Sequence, residues 1–92
     1  MTNSFIKDPS ALLDYSWDWS AWLAEVADII VSATITVPSG LTAVGPPAIG
    51  DTIVTQRVSG GSVDVVYAVT CRITTAGGLI DERSLYLTIT ER

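Results

Sequence analysis

The chain has 92 residues, 48% of them hydrophobic and 16% charged, with ten acids against five bases for a net charge of −5. This is the balance of a single globular domain able to offset its chain entropy, and its sign opposes the phosphate neutralisation that nucleic-acid binding depends on. With no histidine the usual general base and nitrogen metal ligand are missing, and the single cysteine, Cys71, cannot form an internal disulfide.

Residues 1–11 are polar, contain Pro9, and hold Phe5 and Ile6 as isolated apolar residues. They lack the basic and apolar regions of a secretory leader, and no stretch of the chain approaches the roughly 18 apolar residues of a membrane span. They are expected to form an extended N-terminal arm that orders on docking, followed by one domain over residues 12–92.

From Leu13 to Ser20 the sequence alternates, with Leu13, Tyr15, Trp17 and Trp19 on one side and Asp14, Ser16, Asp18 and Ser20 on the other. That period of two predicts a half-buried strand whose tryptophans fill the interior of a small sandwich. Trp22 falls outside the alternation. The run Ser20-Ala21-Trp22-Leu23-Ala24-Glu25-Val26 has helix formers, and Ser20 can cap a brief helical turn.

β-branched residues from Ile29 to Val37 predict a strand ended by Pro38-Ser39-Gly40. Leu41–Val44 is a short strand cut off by Gly45-Pro46-Pro47, since proline donates no ladder hydrogen bond. A further strand spans Thr52–Val58, and the longest runs from Val63 to Thr75, with Val63, Val65, Tyr67, Val69, Cys71 and Ile73 on its inner face. After the Ala76-Gly77-Gly78 turn a last strand, Arg83–Thr90, turns Leu85, Leu87 and Ile89 inward. Six to seven short strands separated by turns make an all-β antiparallel sandwich. Tyr67 stands early in the penultimate strand, where immunoglobulin-like domains carry a tyrosine whose hydroxyl bonds nearby backbone.

Catalytic chemistry finds little material. Asp14 and Asp18 share a strand face about 13 Å apart, too far for a glycosidase pair. Asp28, Asp51 and the Asp81-Glu82 pair beside Arg83 are turn carboxylates without the spacing of a calcium loop. No enzyme, cofactor or metal site is expected.

Several segments carry a resemblance: Lys7-Asp8-Pro9, Leu13-Asp14-Tyr15-Ser16, Asp18-Trp19-Ser20-Ala21-Trp22-Leu23, Val37-Pro38-Ser39-Gly40-Leu41, Ser59-Gly60-Gly61, and above all Thr70-Cys71-Arg72-Ile73-Thr74-Thr75-Ala76-Gly77 with Asp81-Glu82-Arg83-Ser84-Leu85. Over residues 7–92 the chain resembles small structural proteins of tailed phages known as fibre–tail adaptors, which have an immunoglobulin-like fold. It departs from them where a glycine turn commonly precedes the aspartate matching Asp28; here stand Glu25-Val26-Ala27, which favour the helical turn.

The resemblance implies a non-enzymatic virion part, assembled in the host cytoplasm in several copies. It would join tail fibres to the tail or to neck and portal-adaptor proteins, with neither nucleic acid nor membrane as partner. Phe5 and Ile6 on the arm, Trp22 and Leu23 after the first strand, and Leu79 and Ile80 in the last hairpin are the expected partner contacts. A capsid decoration protein, or a carbohydrate-binding module using exposed tryptophans, are the alternatives.

Overall fold

The computed structural model describes residues 3–91, so Met1 and Thr2 of the expected arm and the final Arg92 lie outside the described residues. Within them the chain runs β1 (Asn3–Lys7), β2 (Leu13–Asp18), α1 (Ser20–Val26), β3 (Ile30–Thr36), β4 (Leu41–Ile49), β5 (Ile53–Gly60), β6 (Val66–Thr75) and β7 (Ile80–Ile89). Two sheets form an all-β sandwich: four strands in the order β1-β7-β6-β3 face three in the order β2-β5-β4. Every neighbouring pair is antiparallel except β1 and β7.

Alternation builds the core. Tyr15, Trp17, Val54 and Val58 point inward from the three-stranded sheet, and Val69, Cys71, Ile73, Leu85, Leu87 and Ile89 meet them from the other. Trp17 and Trp19 are fully buried, with Trp19 and Leu23 sealing the end of the sandwich where α1 begins. Burial also pushes the Cys71 thiol up to about 12, leaving it a packing group.

Four local departures from the sequence expectations have physical causes. Leu13 follows the inward alternation but sits at the strand's start, past the end of the core, and is 41% exposed. Val63 and Val65 are exposed because Gly61, at φ 107°, and Asp64, at φ 67°, take the chain through a turn before β6 starts; aspartate tolerates that left-handed conformation. β4 continues through Gly45-Pro46-Pro47 because it is an edge strand whose register shifts between Val44 and Ala48, so the prolines owe β5 no hydrogen bond. The fourth departure, buried Gln56 on the inner face of β5, serves that bulge: its Nε2 donates to the carbonyls of Val44, Gly45 and Arg57 at 3.3, 3.1 and 2.9 Å.

Of the expected arm, residues 3–7 are extended and dock as β1 along β7 of the same chain, from Asn3 opposite Leu85 to Lys7 opposite Ile89. The Phe5 ring tilts onto Tyr15 across the open side of the sandwich, centroids 5.5 Å apart. Lys7 is completely buried, and its Nζ donates to the carbonyls of Gly60 and Asp8 at 2.7 and 2.9 Å. Burial lowers its pKa, opposed by the neighbouring Asp8 carboxylate.

α1 forms as a single short helix, but Ser20 does not cap it. The Asp18 carboxylate accepts the Ser20 N–H at 2.8 Å, and the helix starts from Trp19. At its other end Ala27 takes the left-handed conformation, φ 51° and ψ 53°, that glycine supplies in most helix C-caps. Ala27→Gly should therefore raise stability by about 0.5–1 kcal/mol, the relief of left-handed strain less glycine's added entropy. Urea unfolding should show a higher midpoint with an unchanged slope.

Candidate partner-binding surface

The expected contact residues separate into two groups at opposite ends of the sandwich. Phe5 and Ile6 lie on β1, level with Leu87 and Thr88 of β7, whereas Ile80 begins β7. The seven steps along the strand from Ile80 to Leu87 set the two groups roughly 23 Å apart.

At the first end, strand register places Ile6, Thr88 and Val66 side by side on the outer face of the four-stranded sheet. Ile6 and Val66 are both more than half exposed, and Leu12, Val63 and Val65 add apolar surface from the adjoining turns. Phe5 faces the other way, its ring sealing the side of the core at Tyr15.

The second end is built by three latches. The Asp28 carboxylate accepts the N–H groups of Ile29, at 2.9 Å, and Gly77, at 3.2 Å, while the Ile29 carbonyl accepts from Ala76 at 3.0 Å. The segment after α1 is thereby tied to the β6–β7 turn. Gly77 lets the turn approach this closely, because a Cβ there would lie 2.6 Å from the Asp28 oxygen and displace the carboxylate. In the second latch the indole Nε1 of Trp19 donates to Asp81 at 2.8 Å, and in the third the Arg83 guanidinium lies over the Trp19 ring, 5.1 Å from its centroid, and donates to the Asp18 carbonyl at 2.9 Å. Asp81 and Arg83 also pair at 3.5 Å. The residues on which the family resemblance rests most heavily thus hold α1 against the last hairpin.

These latches fix an apolar rim. Leu79 and Ile80 are exposed on the hairpin, Trp22 is half-buried with part of its ring packed on the core, and Val26, Ile29 and Val31 are exposed beside them. Leu23 is the exception among the expected contacts: at 1% exposure it belongs to the core and has no surface to offer a partner. Ile29 and Val31 were missed because Ile29 lies just before β3 and Val31 falls at the register shift between Ile30 and Ser32, where the strand's alternation is interrupted. The local signal at Ile29 was Asp28, whose carboxylate accepts its N–H.

Of the turn carboxylates considered as cation ligands, Asp28 is engaged with backbone and Asp81 with Trp19 and Arg83. Among the described residues no group of three or more cysteine and carboxylate side chains converges on a metal position. A shallow groove of about 380 Å³ on the outer face of the three-stranded sheet lies under the β4 bulge, between Pro46 and the Asp14–Arg57 ion pair. Both charges there are spent on each other, the Arg57 hydrogen bond holding Asp14 below the usual carboxylate range.

The Thr75 hydroxyl and the N–H groups around it hold Asp28 below its ordinary pKa too, and the Ser20 backbone N–H does the same for Asp18. Folded-state values below the unfolded value of about 3.9 mean stabilisation that is complete above about pH 4 and lost as pH falls through the folded pKa. The melting temperature should accordingly fall as the pH drops below 4. In Asp28→Asn it should be lower at pH 7 and the further drop on acidification smaller; an unchanged acid profile would remove Asp28 from the latch.

Compared with known families, the chain matches the family described as podophage GP4 fiber-tail adaptor protein gp77 over residues 7–88. No curated protein gives a match.

Proposed function

We propose that this chain, which belongs to the podophage GP4 fiber-tail adaptor family, is a two-ended, non-enzymatic linker in the virion that joins tail fibres to the tail or neck. The observation that carries the reading is the family match over residues 7–88. The geometry supports it: two apolar ends, at Ile6–Val66 and at Trp22–Leu79–Ile80, stand roughly 23 Å apart on a rigid frame. A part that bridges two neighbours needs separate surfaces, and exposed apolar clusters are where protein partners dock.

The immunoglobulin-like reading rests on strand order and one side chain. β2-β5-β4 and β3-β6-β7 follow the B-E-D and C-F-G orders of such domains, and the Tyr67 hydroxyl accepts the N–H of Ser62 at 3.0 Å, as the tyrosine corner of that fold does. Burial of Trp17 and Trp19 and half-burial of Trp22 weigh against a sugar-stacking platform. Copies repeated around a tail would multiply individually weak contacts.

Immunogold labelling of purified virions tests the assignment. Label confined to the tail or neck is the expected result. Label spread over the capsid would replace the adaptor with a head decoration protein.

A further inference from the structure

Four strands of the sandwich have an open edge, and three of them are blunted. β1 is five residues long and ends in Lys7, β2 carries Asp14 and Asp18, and β4 is broken by Gly45-Pro46-Pro47 and its register shift. Charges, prolines, bulges and shortness are the devices that stop a sheet edge from pairing with another chain. β3 has almost none of them. From Ile30 to Thr36 it holds no charge, proline or glycine, and its one irregularity, between Ile30 and Ser32, leaves Ser32–Thr36 regular. Among the described residues, no loop backbone or side chain outside β6 hydrogen bonds to Ser32–Thr36.

We infer that the β3 edge pairs with the same edge of a second copy of this chain, antiparallel and centred on Thr34, joining two four-stranded sheets into one. The register is self-complementary. With Thr34 opposite its own copy, Ile35 stands opposite Ala33 and Thr36 opposite Ser32. The inward pair is then large against small, and Ala33 and Ile35 are both half-buried at the margin of the core. A second strand would cover them. The outward pairs are all hydroxyl against hydroxyl, a favourable cross-strand combination.

The overall charge of −5 does not oppose this contact, because the edge itself is neutral. The nearest outward charge is Arg72, opposite Thr34 on β6 and itself opposite Glu82 on β7. Two copies of Arg72 would stand three strand spacings apart, about 14 Å, beyond the screening length of about 8 Å at physiological salt. Seven residues of edge make a contact shorter than a standard interface, so pairing of the free chain is concentration-dependent. The inference stands apart from the fibre–tail reading, since it concerns what the isolated chain does.

Sedimentation equilibrium of the full chain from micromolar to millimolar concentration tests it. The expected result is a rise from monomer to twice the monomer mass. Thr34→Lys, which sets two ammonium groups directly opposite one another, should weaken the dimer about tenfold or more. Ser4→Lys on the β1 edge, at the far side of the same sheet, should leave it unchanged. A nitroxide on Thr34→Cys, with Cys71 shielded in the core, should show a short dipolar distance between copies, and one on Ser4→Cys, at the far edge of the sheet, should not. A chain that stays monomeric to millimolar concentration, or dimers that Thr34→Lys leaves intact, would overturn the inference. So would a monomer whose β3 amides become protected from exchange only in the virion, which would assign the edge to a strand of another protein.

Discussion

Trp19→Ala should cost about 3–5 kcal/mol, the usual range for emptying a buried tryptophan site. A domain of this size has about 5–14 kcal/mol in total, so the variant should be partly unfolded near its physiological temperature. The indole is fully buried where β2 hands over to α1, and it carries two of the latches there. Truncation opens a cavity beside Leu23, leaves Asp81 without its 2.8 Å donor and removes the ring on which Arg83 lies. Trp19→Phe should fall between, restoring most of the volume but not the Nε1 hydrogen bond. Half-buried Trp22 gives the contrast: Trp22→Ala should cost less than half as much, because part of its ring already faces solvent. Urea unfolding of the three variants measures the series. Equal losses from Trp19→Ala and Trp22→Ala would mean that the two side chains do not divide the work as the fold indicates.

Gly61→Ala should be the most damaging single methyl added to the chain, at about 2–4 kcal/mol from overpacking and left-handed strain together. Its Cβ would stand 2.6 and 2.7 Å from Cδ1 and Cγ1 of Ile89, with φ at +107°. Ile89 is completely buried and cannot swing aside. Gly78 isolates the two contributions. It too has a positive φ, +87°, but nothing lies within 4 Å of its added Cβ, so Gly78→Ala should show only the backbone cost of about 1–2 kcal/mol. Thermal unfolding of the pair would expose an error directly: equal destabilisation would mean that Ile89 gives way.

Much of the fold is legible in side-chain alternation, and the failures mark where alternation stops being the controlling signal. Tyr15, Trp17 and Trp19 point inward because a period of two and a large apolar volume agree, as do Leu85, Leu87 and Ile89. The same pattern carried through Val63 and Val65 misplaces them, since nothing in the period records that Asp64 adopts a positive φ. Pro46 and Pro47 end a strand in isolation. They are accommodated here because β4 lies at an edge and Gln56 on the neighbouring strand donates to the Val44 and Gly45 carbonyls at the bulge, a tertiary fact with no local signature. Leu23 reads as a surface contact when its neighbour Trp22 is considered alone; the helix turns it into the core and leaves Trp22 at the rim. The exposure of Ile6, Leu79 and Ile80 was legible, since they are isolated apolar residues beside turns. The division of the candidate surface into two ends was not, because the parallel register of β1 on β7 joins residues some eighty positions apart.

That division is best tested by photo-crosslinking inside the virion. Phages assembled with a photoreactive residue in place of Ile6, or in place of Ile80, would be irradiated and the captured proteins identified by mass spectrometry. A two-ended linker predicts different partners, with a fibre protein captured from one position and a tail or neck protein from the other. Capture of one and the same protein from both positions, or of the major capsid protein from either, would contradict it.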